Sequence, residues 1–293
     1  MEIKGSVVLV TGGGNGIGEA VAKYFAKQGA KIAIVDMVQK NIDRVVADLK
    51  AMGAEAIGVQ ANVTSEAETA KFVQATVAAF GKLNITVACA GIIRDGTMLT
   101  LDKETGKVSR KMGLDKWAPV IDVNLTGTFL TLRDSAEAMV NGGWPGLLVT
   151  ISSVNKAGQV GQLNYSSTKV ADALMPKIII GEFMLRGIKN IRCVGIAPGY
   201  TATPMLTGMN QDALNSILKD VHLGRLVEPE EIARTIGHCA ENEAIKRKSH
   251  PRKTVPEYIA TYTRQMNLIG IGYDWSREVN SSSSDYYKWT QWI

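Results

Sequence analysis

Tyr165 and Lys169 stand four residues apart in the stretch Leu163-Asn164-Tyr165-Ser166-Ser167-Thr168-Lys169. On a helix that spacing puts the phenol and the ammonium on one face, one turn apart. A cation beside a phenol favours phenolate and lowers its pKa towards neutrality, which makes Tyr165 a candidate proton donor and acceptor. The spacing is common by chance. It gains meaning from the residues upstream.

Thr11 to Gly18 read Thr-Gly-Gly-Gly-Asn-Gly-Ile-Gly, between a strand pattern and a helix pattern. Glycines there let the backbone approach a pyrophosphate, and the helix N-terminus adds partial positive charge. Asp36 ends the second strand, where a carboxylate accepts the adenosine ribose hydroxyls and repels a 2′-phosphate. With no Lys or Arg in the glycine loop or beside Asp36, the expected cofactor is NAD rather than NADP. Asn62 and Val63 follow the third strand, and Cys89, Ala90 and Gly91 follow the fourth, at the edge where ligands bind in doubly wound sheets. Asn124 lies in an apolar helical stretch and needs a hydrogen-bond partner. Ser152 and Ser153 end a later strand at the same edge.

These residues require a scaffold of alternating strands and helices. Strands are expected at 6–11, 31–36, 55–60, 85–89, 146–152 and 190–196. Helices are expected at 17–28, 39–52, 65–80, near 114–139 and at 164–186. Alternation of this kind predicts an α/β fold with a parallel sheet covered by helices on both faces. Residues 93–117 form a long connection, with a small hairpin turning at Glu104 to Gly106.

The chain has 293 residues, 45% of them hydrophobic, and a mean hydropathy near zero, as expected of a soluble globular protein. No apolar run reaches the roughly 18 residues of a membrane span. The N-terminus enters a strand pattern almost directly, and the three cysteines are scattered. The expectation is therefore a cytoplasmic protein with free thiols, no signal peptide and no membrane association. The three histidines have no metal-ligand spacing, so no metal is expected. Of the net charge of +5, +4 belongs to residues 245–293, which hold eight Lys/Arg and four Asp/Glu. So local an excess is weak support for a nucleic-acid partner, and none is expected.

In order and spacing, these motifs resemble the short-chain dehydrogenase/reductase family from about residue 5 to about 240, closest to its 3-oxoacyl-carrier-protein-reductase-like branch. The matching pieces are the 11–18 loop, Asp36, Ala90-Gly91, Asn124, Ile151-Ser152-Ser153, Tyr165 with Lys169, and Pro198-Gly199-Tyr200-Thr201-Ala202-Thr203-Pro204-Met205. The resemblance implies a Rossmann fold, hydride transfer between a nicotinamide and a secondary alcohol or ketone, a small-molecule substrate, and a dimer or tetramer. It implies that Tyr165 is the general acid/base. Lys169 would lower its pKa and hold the nicotinamide ribose. A serine would bind the substrate oxygen, and Asn124 would hold a water in a proton relay. Gly12, Gly16, Ile17 and Gly18 would cradle the pyrophosphate, with Thr11 and Asn15 in the same loop. Asn62, Val63, Ala90, Gly91, Pro198, Gly199, Thr201 and Thr203 would line the nucleotide site, with Thr203 on the carboxamide.

Three departures stand out. Cys89 replaces an asparagine of the family pattern, Asn62 replaces an aspartate, and the loop from serine to tyrosine is one residue short. Counting back from Tyr165 favours Ser152, whereas the strand-end pattern favours Ser153. Both are kept, with a lean to Ser153.

The family's final strand pattern is missing after residue 244. Residues 240–293 are similar instead to a fragment of leucyl-tRNA synthetase, through Tyr273-Asp274-Trp275-Ser276-Arg277-Glu278 and Tyr286-Tyr287-Lys288-Trp289-Thr290-Gln291-Trp292. Neither synthetase signature is present, so no aminoacylation is expected. The expected organisation is a dehydrogenase domain at 1–244 and an atypical tail at 245–293, the mark of a chimera. Residues 266–272 are a candidate substitute strand. The competing functional reading is a dinucleotide-binding chimera impaired in catalysis by the loss of its last strand.

Overall fold

The computed structural model describes residues 1–207, 218–219, 221 and 224–241. Residues Met1–Asn242 form one compact unit. The tail at 245–293, and with it the substitute strand at 266–272, lies outside the described residues.

Six parallel strands form the central sheet: β1 (Val7–Thr11), β2 (Lys31–Asp36), β3 (Ala56–Gln60), β4 (Ile85–Ala88), β7 (Gly146–Ile151) and β8 (Ile191–Ile196), in spatial order β3-β2-β1-β4-β7-β8. A two-stranded antiparallel hairpin, β5 (Leu99–Leu101) and β6 (Val108–Lys111), sits in the long connection after β4. The central strands β1, β4 and β7 are wholly buried, which is why they are runs of Val, Ile, Leu, Ala and Thr rather than alternating patterns. Each expected strand and helix lies within a few residues of its place.

The helices are α1 (Gly16–Lys27), α2 (Gln39–Ala51), α3 (Glu66–Phe80), α4 (Leu114–Ile121), α5 (Gly127–Asn141), α6 (Leu163–Leu185), the short α7 (Pro204–Thr207) and α8 (Pro229–Ala240). They cover both faces. Phe25, Ile42, Val45, Leu49, Ile232 and Ile236 close one hydrophobic core over the sheet. Phe72, Val73, Leu132 and Met139 close the other, joined by Ile179 and Ile180 of α6. Local signals set the helix ends. Ser65 accepts from Glu68 N to cap α3, and Gly81 ends that helix in the left-handed region at φ 77°. Pro229 and a Glu228/Glu231 capping box start α8.

One helix differs from expectation. The segment expected as continuous near 114–139 is interrupted by a π-turn at Asp122–Thr126, between α4 and α5. The wider turn carries Asn124, which is fully buried. None of the helices among the described residues is long and apolar enough to cross a membrane.

The order of the sheet decides where a ligand binds. From β1 the chain builds outward through β2 to β3. From β4 it builds the other way, through β7 to β8. The crossovers diverge between β1 and β4, leaving a crevice at their carboxyl ends.

Candidate active site

The crevice opens at Thr11, the last residue of β1. Its Oγ1 accepts from the amides of Cys89 (3.2 Å) and Ala90 (3.3 Å), tying the loop after β1 to the loop after β4. Gly12 sits at φ 65°, and a Cβ there would lie 2.9 Å from Ala90 Cα. At Gly18, the first buried turn of α1, a Cβ would collide with the Gly12 carbonyl. The glycines are required by backbone packed on backbone. The result is a side-chain-free cradle at the start of α1, where Asn15 provides no capping bond for the first-turn amides. A pyrophosphate fits such a cradle. Gly16 faces Thr203, with a Cβ position 3.3 Å from Thr203 Cγ2, so the segment that carries Thr203 reaches the loop.

Asp36 closes the far side. Its Oδ2 accepts from Gly14 N (3.0 Å) and its Oδ1 from Val38 N (3.1 Å). The expectation that no cation stands by this loop needs correction. Arg44, on α2, donates to the Gly14 carbonyl at 2.9 Å and forms a two-pronged ion pair with Glu19 at 2.8 and 2.6 Å. That guanidinium holds Glu19 below the usual carboxylate range. Thirty residues separate Arg44 from Gly14, and only the packing of α2 beside α1 brings them together.

Asn62 Oδ1 accepts from Thr64 N in a local turn, and Asn62 N donates to Glu68. Val63 is buried against Gly127. Ile17 is half-buried on the core, and the Asn15 side chain is exposed. Pro198 accepts from Val154 N through its carbonyl, and Thr201 Oγ1 donates to the Gly199 carbonyl. Thr201 bridges to Val227, which fixes the approach of the 198–205 segment.

Tyr165 and Lys169 lie one turn apart near the start of α6, with the ammonium 5.5 Å from the phenol ring centroid. Lys169 is 5% exposed. Its Nζ donates to the Ile151 carbonyl at 2.7 Å and to Asp172 Oδ2 at 2.8 Å. Asp172 was not among the expected residues, although its place three residues after Lys169 puts both on one helix face. The half-buried Cys89 lies near this ammonium. Burial pushes its thiol up to about 12, and the Lys169 charge pulls the other way.

The two serines part company here. Ser152 is buried and its Oγ donates to the Lys169 carbonyl at 2.5 Å, so its proton is committed to the backbone of α6. Ser153 is half-exposed; its Oγ accepts from Asn155 N at 3.1 Å and keeps its own proton for another acceptor. Asn124 neighbours Gly91, whose Cβ position would be 3.5 Å from Asn124 Oδ1. The Asn124 carboxamide holds both backbone groups of Ile92.

Comparison with known proteins agrees with this fold. The family model for short chain dehydrogenase matches residues 6–214. The chain is similar to a (3R)-3-hydroxyacyl-CoA dehydrogenase of Canis lupus familiaris, 31% identical over 253 residues, covering 83% of this chain and 92% of that protein. It is similar to a 3-oxoacyl-acyl-carrier-protein reductase of Synechocystis sp., 36% identical over 241 residues, covering 81% and 90%. The solved structure of a short-chain type dehydrogenase/reductase from Mycobacterium marinum superposes with a TM-score of 0.74 at 25% identity, covering 83% of this chain and 91% of that one. A family model spanning most of the chain, with relatives above 30% identity over nine-tenths of their own length, places this chain in the short-chain dehydrogenase family, oxidoreductases that use a nicotinamide nucleotide to interconvert CH–OH and C=O groups.

Proposed function

We propose that this protein is an NAD-dependent oxidoreductase of 3-hydroxyacyl and 3-oxoacyl compounds, with Tyr165 as its general acid/base. The observation that carries this reading is the Tyr165–Lys169 pair, with the ammonium 5.5 Å from the phenol ring, beside a glycine cradle shaped for a dinucleotide. The named activities of the hydroxyacyl and oxoacyl relatives support the substrate class.

When bound, the nicotinamide supplies or accepts the hydride at the substrate carbon. The protein handles the proton. In reduction, Tyr165 Oη gives its proton to the substrate oxygen as the C=O becomes CH–OH; in oxidation the phenolate takes it back. Ser153 offers its hydroxyl hydrogen to that oxygen, a task for which Ser152 has no proton to spare. Gly12, Gly16 and Gly18 would admit the pyrophosphate, and Thr203 stands beside the loop to meet the carboxamide. Asp36 would accept from the ribose hydroxyls, which favours NAD. Arg44 is held by Glu19 and the Gly14 carbonyl, which ties up the charge a 2′-phosphate would use.

A homo-oligomer is part of the same reading. Val170, Leu174 and Ile178 recur every four residues on α6, each 51% exposed, and form an apolar stripe of the kind that marks an interface. The tail beyond residue 240 is read as a leucyl-tRNA-synthetase-like fragment without aminoacylation activity, on sequence alone. The functional test is NADH-dependent turnover of a 3-oxoacyl thioester by the full chain. Turnover is expected. NADH binding without turnover of any carbonyl compound would favour the impaired dinucleotide-binding chimera instead.

A further inference from the structure

Lys169 has a partner outside the proton path described above. Asp172 is fully buried, and its Oδ2 accepts from Lys169 Nζ at 2.8 Å. Its Oδ1 is buried with no hydrogen-bond partner among the described residues. The backbone of Asp172 is fixed as well, because Thr150 Oγ1 of β7 donates to its carbonyl at 2.7 Å. A buried carboxylate with one oxygen orphaned is costly, and the neighbouring ammonium is what offsets the cost. Burial accordingly raises Asp172 from its ordinary value, while the charge and hydrogen bond of Lys169 draw it back.

The surrounding elements bring little other charge to this pair. Beside Asp172, β7 presents Thr150 and Ser152, both uncharged. β8 presents Gly195 and the Cys193 thiol, which burial pushes up to about 12; the Cys89 thiol after β4 is pushed equally high. On α4, Lys116 is drawn to the Asp95 carbonyl, and in the π-turn and the 154–157 turn Asp122 and Lys156 are exposed. Asp172 is thus the anion in direct contact with Lys169.

We propose that Asp172 is a positioning residue that acts through Lys169 to keep the Tyr165 phenol protonated and so bias the site towards carbonyl reduction. An ammonium lowers a phenol's pKa by its net field. With a carboxylate bound to the same ammonium, the pair is close to neutral overall and its field at Tyr165 is weakened. The hydrogen bonds to Asp172 and the Ile151 carbonyl also hold Nζ against the inner wall. A tyrosine that stays protonated near neutral pH is the acid that reduction needs.

The inference rests on Tyr165 being the acid/base, and the test separates the two. In alcohol oxidation the phenolate is the base, so kcat rises with pH along an acid limb. Asp172→Asn keeps the shape and removes the charge; Asp172→Ser removes charge and bulk. Both variants are expected to move the acid limb of kcat down by about one pH unit, a tenfold change in proton affinity. The NADH-induced rise in melting temperature reports whether the domain is still folded. An acid limb that stays in place or moves up, or loss of the folded nucleotide-binding domain in both variants, makes Asp172 a purely structural residue and overturns the proposal. If instead Tyr165→Phe retains full turnover, it is the underlying acid/base reading that fails.

Discussion

The Asn124 carboxamide clasps Ile92 from both sides: Oδ1 accepts from Ile92 N at 2.8 Å and Nδ2 donates to Ile92 O at 3.0 Å. The π-turn at 122–126 carries this side chain, and its own carbonyl accepts from Thr128 Oγ1 at 2.7 Å. The asparagine therefore secures the loop after β4, whose preceding residues Cys89 and Ala90 are tied to Thr11 across the crevice.

Asn124→Ala strips both partners from Ile92 in a buried setting. At about 1–3 kcal/mol for each unsatisfied group, and about 2–4 °C per kcal/mol in a chain of this size, the melting temperature is expected to fall by about 4–24 °C. Differential scanning calorimetry checks this; an unchanged melting temperature would show that Asn124 does not secure the loop.

Cofactor choice is expected to turn on Asp36 and Arg44. NAD is expected to raise the melting temperature of the full chain more than NADP at equal concentration, because a ligand that binds only the native state stabilises it. Asp36→Ala removes the acceptor of Gly14 N and the charge facing a 2′-phosphate. The difference between the two nucleotides is expected to shrink by tenfold or more in relative affinity, about 1.4 kcal/mol. A wild-type chain that prefers NADP would show that Arg44 outweighs Asp36.

The apolar stripe on α6 has a separate consequence. Leu174→Asp places a charge at a half-exposed position on its middle. Light scattering is expected to show a dimer or tetramer for the wild type and a smaller particle for the variant. The same mass for both would exclude this face as the interface.

The sheet was legible because its central strands β1, β4 and β7 are wholly buried and its helices carry strong local stop signals. Gly81 ends α3 at a left-handed turn. The placement of Tyr165 and Lys169 on one face of α6 was legible for the same local reason, since a four-residue spacing on a helix decides its face. What escaped depends on tertiary packing. Arg44 meets Gly14 across 30 residues, and nothing near either residue in the chain announces it. The choice between Ser152 and Ser153 turns on which hydroxyl faces α6, and the Ser152 bond to the Lys169 carbonyl supplies that information. Asp172 was visible in the spacing, but its meaning needed the buried Nζ contact. The π-turn at 122–126 adds one residue to a helical repeat, too small a change for periodicity to register.

The central claim is that Tyr165 moves the proton, and Tyr165→Phe tests it most directly. The substitution removes one oxygen and leaves the ring 5.5 Å from Lys169 in place. Steady-state turnover of a 3-oxoacyl thioester with NADH is expected to fall by about 100-fold or more, the usual share of a general acid. The NADH-induced rise in melting temperature is expected to persist. Turnover equal to that of the wild type, in a variant that binds NADH normally, would contradict the account.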